Sequence, residues 1–175
     1  SVSDMITAAA EAGEYDLPRR KIWIFPTTRP GELLCNCTRI IGADGRELNT
    51  LLRADFSEAE SEGRLQAHAY ASFFRRNLAG CGDSYVVDTP PQVGVRQTRQ
   101  IVGKEILRNE DVVTGKKRPN GIAVSPWPIE LHSGQRPVVE WLHDDVYEIP
   151  FGAFVPERGN GILFAGRCWS AEHEA

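Results

Sequence analysis

The run from Ser57 to Leu78 narrows the possible folds more than any other stretch, because its spacing suits one long helix. Ser57 and Glu60 have the separation of a capping box, Glu58 and Glu62 favour the positive end of a helix, and Gly80 is placed to stop it. Leu65, Ala69 and Phe73, with Tyr70, Phe74 and Leu78 beside them, recur at helical spacing and predict one broad apolar face. At 1.5 Å per residue such a helix spans about 33 Å, the width of a domain. Gln66 and His68 flank that face. Nothing in the sequence pairs with His68, so it reads as a surface residue.

Most of the remainder reads as short strands. Lys21 to Phe25 alternates as a strand covered on both faces, and Pro26 to Gly31 carries turn chemistry. Glu32 to Ile41 then completes a hairpin. Ser84–Asp88, Val138–Leu142 and Val146–Val155 are further strand candidates. Ile122 to His132 must be an edge or irregular segment, since Pro126 and Pro128 cannot donate to a ladder. Ser3 to Gly13 is a modest alanine-rich helix, and Val93 to Leu107 has mixed character. The expected fold is therefore α+β: a mixed β-sheet with the long helix packed on it, plus short helices. Residues 1–175 are expected to form one domain. No G-x-G-x-x-G occurs, which excludes a Rossmann unit within these residues.

A net charge of −4 argues against a nucleic-acid partner, and no apolar run approaches the ~20 residues that span a bilayer. The N-terminal stretch lacks the basic head and apolar block of a signal peptide. Four cysteines, Cys35, Cys37, Cys81 and Cys168, are too few for a disulfide scaffold and suit a reducing, cytoplasmic setting. Cys35 and Cys37 point to one face of a strand. They read as a soft-metal pair, a redox couple or two small buried hydrophobes. The second ligand pair that a zinc site requires is absent, so no metal is expected.

The last sixteen residues, Asn160 to Ala175, carry the strongest hint of chemistry. Ile162 to Ala165 predicts a short buried strand, Gly166 a close backbone approach, and Ser170 the cap of a helix with Glu172 and Glu174 in its first turn. Strand, glycine and helix N-terminus together suit an anion or a dinucleotide.

The wording of this segment resembles the FAD-contacting motif N-L-L-V-A-G-R-C-x-S-x-x-H-E-A of the FAD-dependent oxidoreductases. Gly166, Arg167, Cys168, Ser170, His173, Glu174 and Ala175 match it. Phe25 to Ile40 is similar to that family's F-P-x-x-R-P-G hairpin, including Asn36, Thr38 and Arg39. Glu60, Gly63, Arg64 and Gln66 follow its E-x-x-G-R-x-Q signature. Gly94 to Leu107 resembles G-V-R-E-T-R-R-I-x-G-x-Y-x-L, with Gln97 in place of the acidic residue and Glu105 in place of the aromatic one. Pro128, Ile129 and His132 match P-I-D-x-H. Tyr147 to Pro156 matches Y-x-I-P-Y-R-x-L-V-P with Gly152 where arginine is common. The matches run in the family's order from about Arg20 to Ala175.

The resemblance implies a substrate-binding domain that works with a separate FAD-binding domain on a small organic molecule, with flavin carrying the redox chemistry. This portion alone is expected to be inactive and to bind FAD poorly, because the glycine loop that normally holds the pyrophosphate lies outside the motifs present. The implied cofactor-binding residues are Gly166, Arg167, Cys168 and Ser170. His132 and His173 are the candidate catalytic proton handlers. Arg96 and Arg99, with Asn36 and Arg39, are the candidate substrate-binding residues, the two first arginines as a carboxylate clamp or as members of buried ion pairs with Glu105, Glu130 or Asp145. His132 reads equally as a loop residue bonded to backbone, and Arg167 as a strand-end ion-pair partner. The competing class is a non-enzymatic β-rich binding module that keeps the motifs for folding.

Overall fold

The computed structural model describes residues 1–131, 138–140, 142 and 145–175. It divides into two compact units, Ser1–Val95 and Arg96–Ala175. The class is α+β. In place of one mixed sheet, the strands form three two-stranded antiparallel sheets. No helix among the described residues is long and apolar enough to cross a membrane.

In the first unit, α1 (Val2–Glu11) is capped by a box in which the Ser1 hydroxyl accepts from the Asp4 N–H and the Asp4 carboxylate answers. The hairpin pairs β1 (Trp23–Pro26) with β2 (Leu33–Asn36), Ile24 opposite Cys35. Its faces are half-buried to exposed, not covered on both sides. The long helix α2 runs from Arg53 to Asn77, four residues earlier at its start than the sequence predicts. Its third residue explains the difference. Asp55 is buried and accepts both Arg46 guanidinium nitrogens (2.7 and 2.8 Å) and the Asn49 N–H (2.8 Å), so the loop before the helix closes onto its first turn.

The buried face of α2 is Asp55, Ala59, Gln66, Tyr70 and Phe73, whereas Leu65 is 66 % exposed. A polar clamp displaced the expected leucine. Gln66 donates to the Arg39 carbonyl (2.8 Å) and accepts the Arg39 N–H (2.9 Å), as a neighbouring strand would. Beside it, a Cβ on Gly63 would fall 3.0 Å from the end of the Ile40 side chain, which would have to give way to any larger residue. The Tyr70 hydroxyl holds the Arg19 backbone in the same manner. Ile6, Leu17, Ile22, Cys37, Tyr70 and Phe73 complete the core.

In the second unit, α3 (Asn109–Val113), β3 (Gly121–Ser125), β4 (Ile129–Leu131), β5 (Val138–Glu140) and β6 (Tyr147–Pro150) surround a small core of Leu107, Val112, Ile129, Tyr147 and Ala171. The short helix α3 carries a buried acidic residue in its first turn. Buried Asp111 anchors it by accepting from the Arg108 N–H, Lys116 and Arg118. Burial raises that carboxyl's pKa, but these hydrogen bonds together prevail and leave it lowered.

The segment 101–109 is held on two sides. Gly103 bridges Pro156 antiparallel, Lys104 N–H donates to Val155 O (2.9 Å) and Glu105 N–H to Gly152 O (3.2 Å). On the other side Leu107 bridges Ala171 in parallel, with Ile101 N–H to Cys168 O (2.9 Å) and Glu172 N–H to Leu107 O (2.8 Å). A Cβ on Gly103 would lie 2.7 Å from the Ser170 Cβ, 2.8 Å from Glu105 O and 3.0 Å from Gly152 O. Three segments meet there. Ser84–Asp88 and Ile162–Ala165, expected as strands, are not strands, and residues 170–175 are not helical.

Two tests follow from these contacts. Asp55 is held down to about 2, first by the Arg46 guanidinium and then by the Asn49 N–H. A carboxyl depressed on folding stabilises the protein above its unfolded value, roughly 3.9, and that stability fades as pH falls toward 2. Asp55→Asn should therefore lower the urea midpoint at pH 7 and flatten its fall between about pH 4 and 2; an unchanged acid limb would remove Asp55 from the account. Gly152→Ala should cost ~1–3 kcal/mol, because the new Cβ would fall 2.4–2.9 Å from Glu105 side-chain atoms. In an Glu105→Ala background that cost should shrink, and full additivity of the two changes would refute the clash.

Candidate functional site

The last segment of the chain builds an open ledge on the second unit. Gly166 has φ +76°, where a side chain would be strained, and nothing stands within 4 Å of where its Cβ would be. The turn is closed by the Cys168 thiol, which donates to the Ala165 carbonyl at 3.3 Å. Arg167 is exposed and Cys168 half-buried. Upstream of the turn Ile162 and Leu163 are 51 % and 61 % exposed, where a buried strand was expected. Downstream, Trp169 stacks on Phe154 with ring centroids 5.1 Å apart, and Ser170 is buried at the Gly103 junction. Ser170 thus faces packing, its N–H donating to Ala153 O at 2.9 Å.

Beyond the junction the chain bends at His173 and closes a turn, Ala175 N–H donating to Glu172 O at 3.2 Å, and its side chains reach two sets of partners. Glu172 accepts from the Asn109 N–H (2.7 Å) and lies 3.4 Å from the Arg108 guanidinium; Glu174 accepts from the Asn109 carboxamide (2.8 Å). His173, between them, meets the Gln97 carboxamide oxygen instead, at 2.7 Å from Nδ1. Two carboxylates fasten this turn and one imidazole is left exposed.

The structure therefore brings Gly166, Arg167, Cys168 and His173 into one run beside the segment that carries Arg96 and Arg99. Both of these arginines are exposed. Among the described residues, the ion pairs of this unit run from Arg108, Lys116, Lys117 and Arg118. Two of the three acids considered as partners of Arg96 and Arg99 have other partners: Glu105 accepts from Asn120 (2.6 Å) and from the Gly152 N–H (3.1 Å), and Asp145 from Lys117 (2.7 Å).

In the first unit, Asn36 accepts from the Arg19 guanidinium at 2.8 Å, and that guanidinium also lies 4.7 Å over the Trp23 ring. Arg39 is held through its backbone by Gln66. Glu60 takes the Val93 N–H and pairs with Arg64, so the helix signature fastens loops. Cys37 is buried in the core and Cys35 packs against it. Burial, then the neighbouring Cys35, pushes the Cys37 thiol up to about 12, which leaves it a poor nucleophile or ligand. No cluster of three metal-binding side chains occurs among the described residues. His132 lies outside the described residues, as does His143, and His68 is exposed.

Gln97, Arg108 and Asn109 are the partners that sequence reading passed over. The Glu172-His173-Glu174 triplet was the available signal, but it was read as the first turn of a helix and not as a turn held by long-range partners.

No curated protein and no solved structure matches the chain. The family model of the FAD dependent oxidoreductases matches it over residues 1–175. With its whole length matched, the chain belongs to the FAD dependent oxidoreductase family.

Proposed function

We propose that residues 1–175 are the substrate-domain part of a flavin oxidoreductase acting on a small organic molecule, with a dinucleotide-binding domain supplying the rest of the FAD site. The observation that carries this reading is the open turn at Gly166, bare of any side chain and followed by exposed Arg167. That donor set fits one wall of a flavin site, since a cation and unobstructed backbone suit a pyrophosphate or an electron-rich ring edge. The strand–glycine-loop–helix that grips a pyrophosphate is absent from these residues, so they fit a wall and not a whole site.

Bound FAD supplies the hydride or electron transfer. The chain's own residues bind and orient. Gly166, Arg167 and Cys168 border the cofactor, while Ser170 holds the ledge from beneath. Arg96 and Arg99 offer two exposed guanidiniums to a substrate carboxylate or carbonyl, a geometry that a forked donor serves better than an ammonium. His173 holds or accepts a proton at the ring nitrogen turned away from Gln97, and His132 is the second proton handler.

Expressed by itself, the 175-residue chain should purify without flavin absorbance, and together with its dinucleotide-binding domain it should be yellow. Stoichiometric flavin on the chain alone would reject the division of the site. In the complete enzyme, Arg167→Ala should weaken FAD binding about ten-fold, the loss of one charge-assisted hydrogen bond at ~1.4 kcal/mol, by fluorescence titration. Arg96→Ala with Arg99→Ala should leave the flavin spectrum intact and abolish anaerobic bleaching by whichever organic acids bleach the parent enzyme. Bleaching at the parental rate would remove the clamp.

A further inference from the structure

Gln97 has no role in the account so far, yet its side chain makes a hydrogen bond to the His173 ring. We infer that Gln97 is the positioning residue of His173: it fixes the imidazole as the Nδ1–H tautomer and turns the lone pair on Nε2 toward the open face of the ledge. This deepens the proposed function and rests on it for the catalytic meaning of His173, though not for the tautomer itself.

Four observations carry it. The Gln97 carboxamide oxygen is 2.7 Å from Nδ1, and an oxygen there can only accept, so Nδ1 must hold the proton. In a neutral imidazole the proton on one nitrogen leaves the lone pair on the other. The backbone on both sides of the ring is pinned: Glu172 and Glu174 are tied to Arg108 and Asn109, and Glu172 N–H to Leu107 O. Gln97 itself is half-buried, on a segment joined to the tail by the bond from Ile101 N–H to Cys168 O, while the imidazole is exposed. A histidine placed only to fill space would not need its backbone tied on one side and its ring held on the other.

The test is histidine-ring NMR on the 175-residue chain carrying 15N-labelled histidine, with His173→Asn used to assign the resonance. The parent chain should show His173 with a protonated Nδ1 and a bare Nε2. Gln97→Leu, close in size but unable to accept, should lose that signature, and Gln97→Glu, which still accepts, should keep it. Gln97→Asn, one methylene too short, should behave as the leucine variant does, so a folding defect in either is recognised by disagreement between them. A His173 tautomer unchanged in both Gln97→Leu and Gln97→Asn, or a bare Nδ1 in the parent, would overturn the inference. Modification of His173 by diethyl pyrocarbonate, read by mass spectrometry on the complete enzyme with and without FAD, separates the two claims. Slower modification with FAD supports the site beside the cofactor; an unchanged rate sinks that reading while leaving the tautomer result to stand or fall by itself.

Discussion

The close approach at Gly103 is the constraint on which the second unit depends. Neighbouring segments in a sheet usually keep their side chains clear of each other's backbones. Here a backbone carbonyl, a serine Cβ and a second carbonyl occupy the space where any side chain at position 103 would begin. With that approach, segment 101–109 can be bonded to residues 152–157 on one side and to residues 168–172 on the other. Each backbone bond contributes only about 1 kcal/mol net. Their value is in register. Once Leu107 is opposite Ala171 and both are buried, the residues flanking Ala171 are held beside segment 101–109 by the bonds from Ile101 N–H to Cys168 O and from Glu172 N–H to Leu107 O.

That register explains how a tail that is neither helix nor named strand can still aim side chains. Glu172 and Glu174 would suit the first turn of a helix, where carboxylates meet free N–H groups. Here they reach outward to Arg108 and Asn109 instead, and the bend between them leaves His173 against Gln97. The same three residues are compatible with both geometries. Long-range partners decide between them, and those partners are more than sixty residues away in sequence.

This is also where the sequence stopped being legible. The long helix and the hairpin were readable because their signals are local: a 3.6-residue period, and turn residues between two apolar runs. The start of the helix was not, because Ser57 and Glu60 imitate a cap. The actual start is set by Asp55 gathering Arg46 and Asn49, while Glu60 serves the Val93 N–H. Leu65 was assigned to the core on period alone, yet Gln66 took the buried position because only a carboxamide satisfies both backbone groups of Arg39. Ile162 to Ala165 was called buried because it is apolar. Periodicity and composition report what a segment would gain from burial, and not whether anything is there to bury it. The family motifs were legible as letters, but several of them, Gly63, Gln66, Gly103 and Ser170, proved to be packing devices. Gly166, Arg167, Arg96, Arg99 and His173 are among the motif residues left exposed.

An exposed guanidinium gains little from an exposed anion, about 0–1 kcal/mol, since water and salt compete for both. Arg96 and Arg99 as they stand would therefore hold a carboxylate weakly. Excluding water from around them changes the balance, because the same contacts strengthen several-fold when the effective dielectric falls. An open ledge that carries cations, a bare glycine turn and an oriented imidazole is thus electrostatically unfinished in a specific way. Its groups are preorganised by Gly103 and the tail's register, so closing a second surface over them would require little rearrangement of the ledge itself. In the proposed reading, flavin and its domain supply that surface. The fold would then divide the work cleanly, with this chain contributing fixed directions and the cofactor domain contributing the dry environment in which those directions become useful.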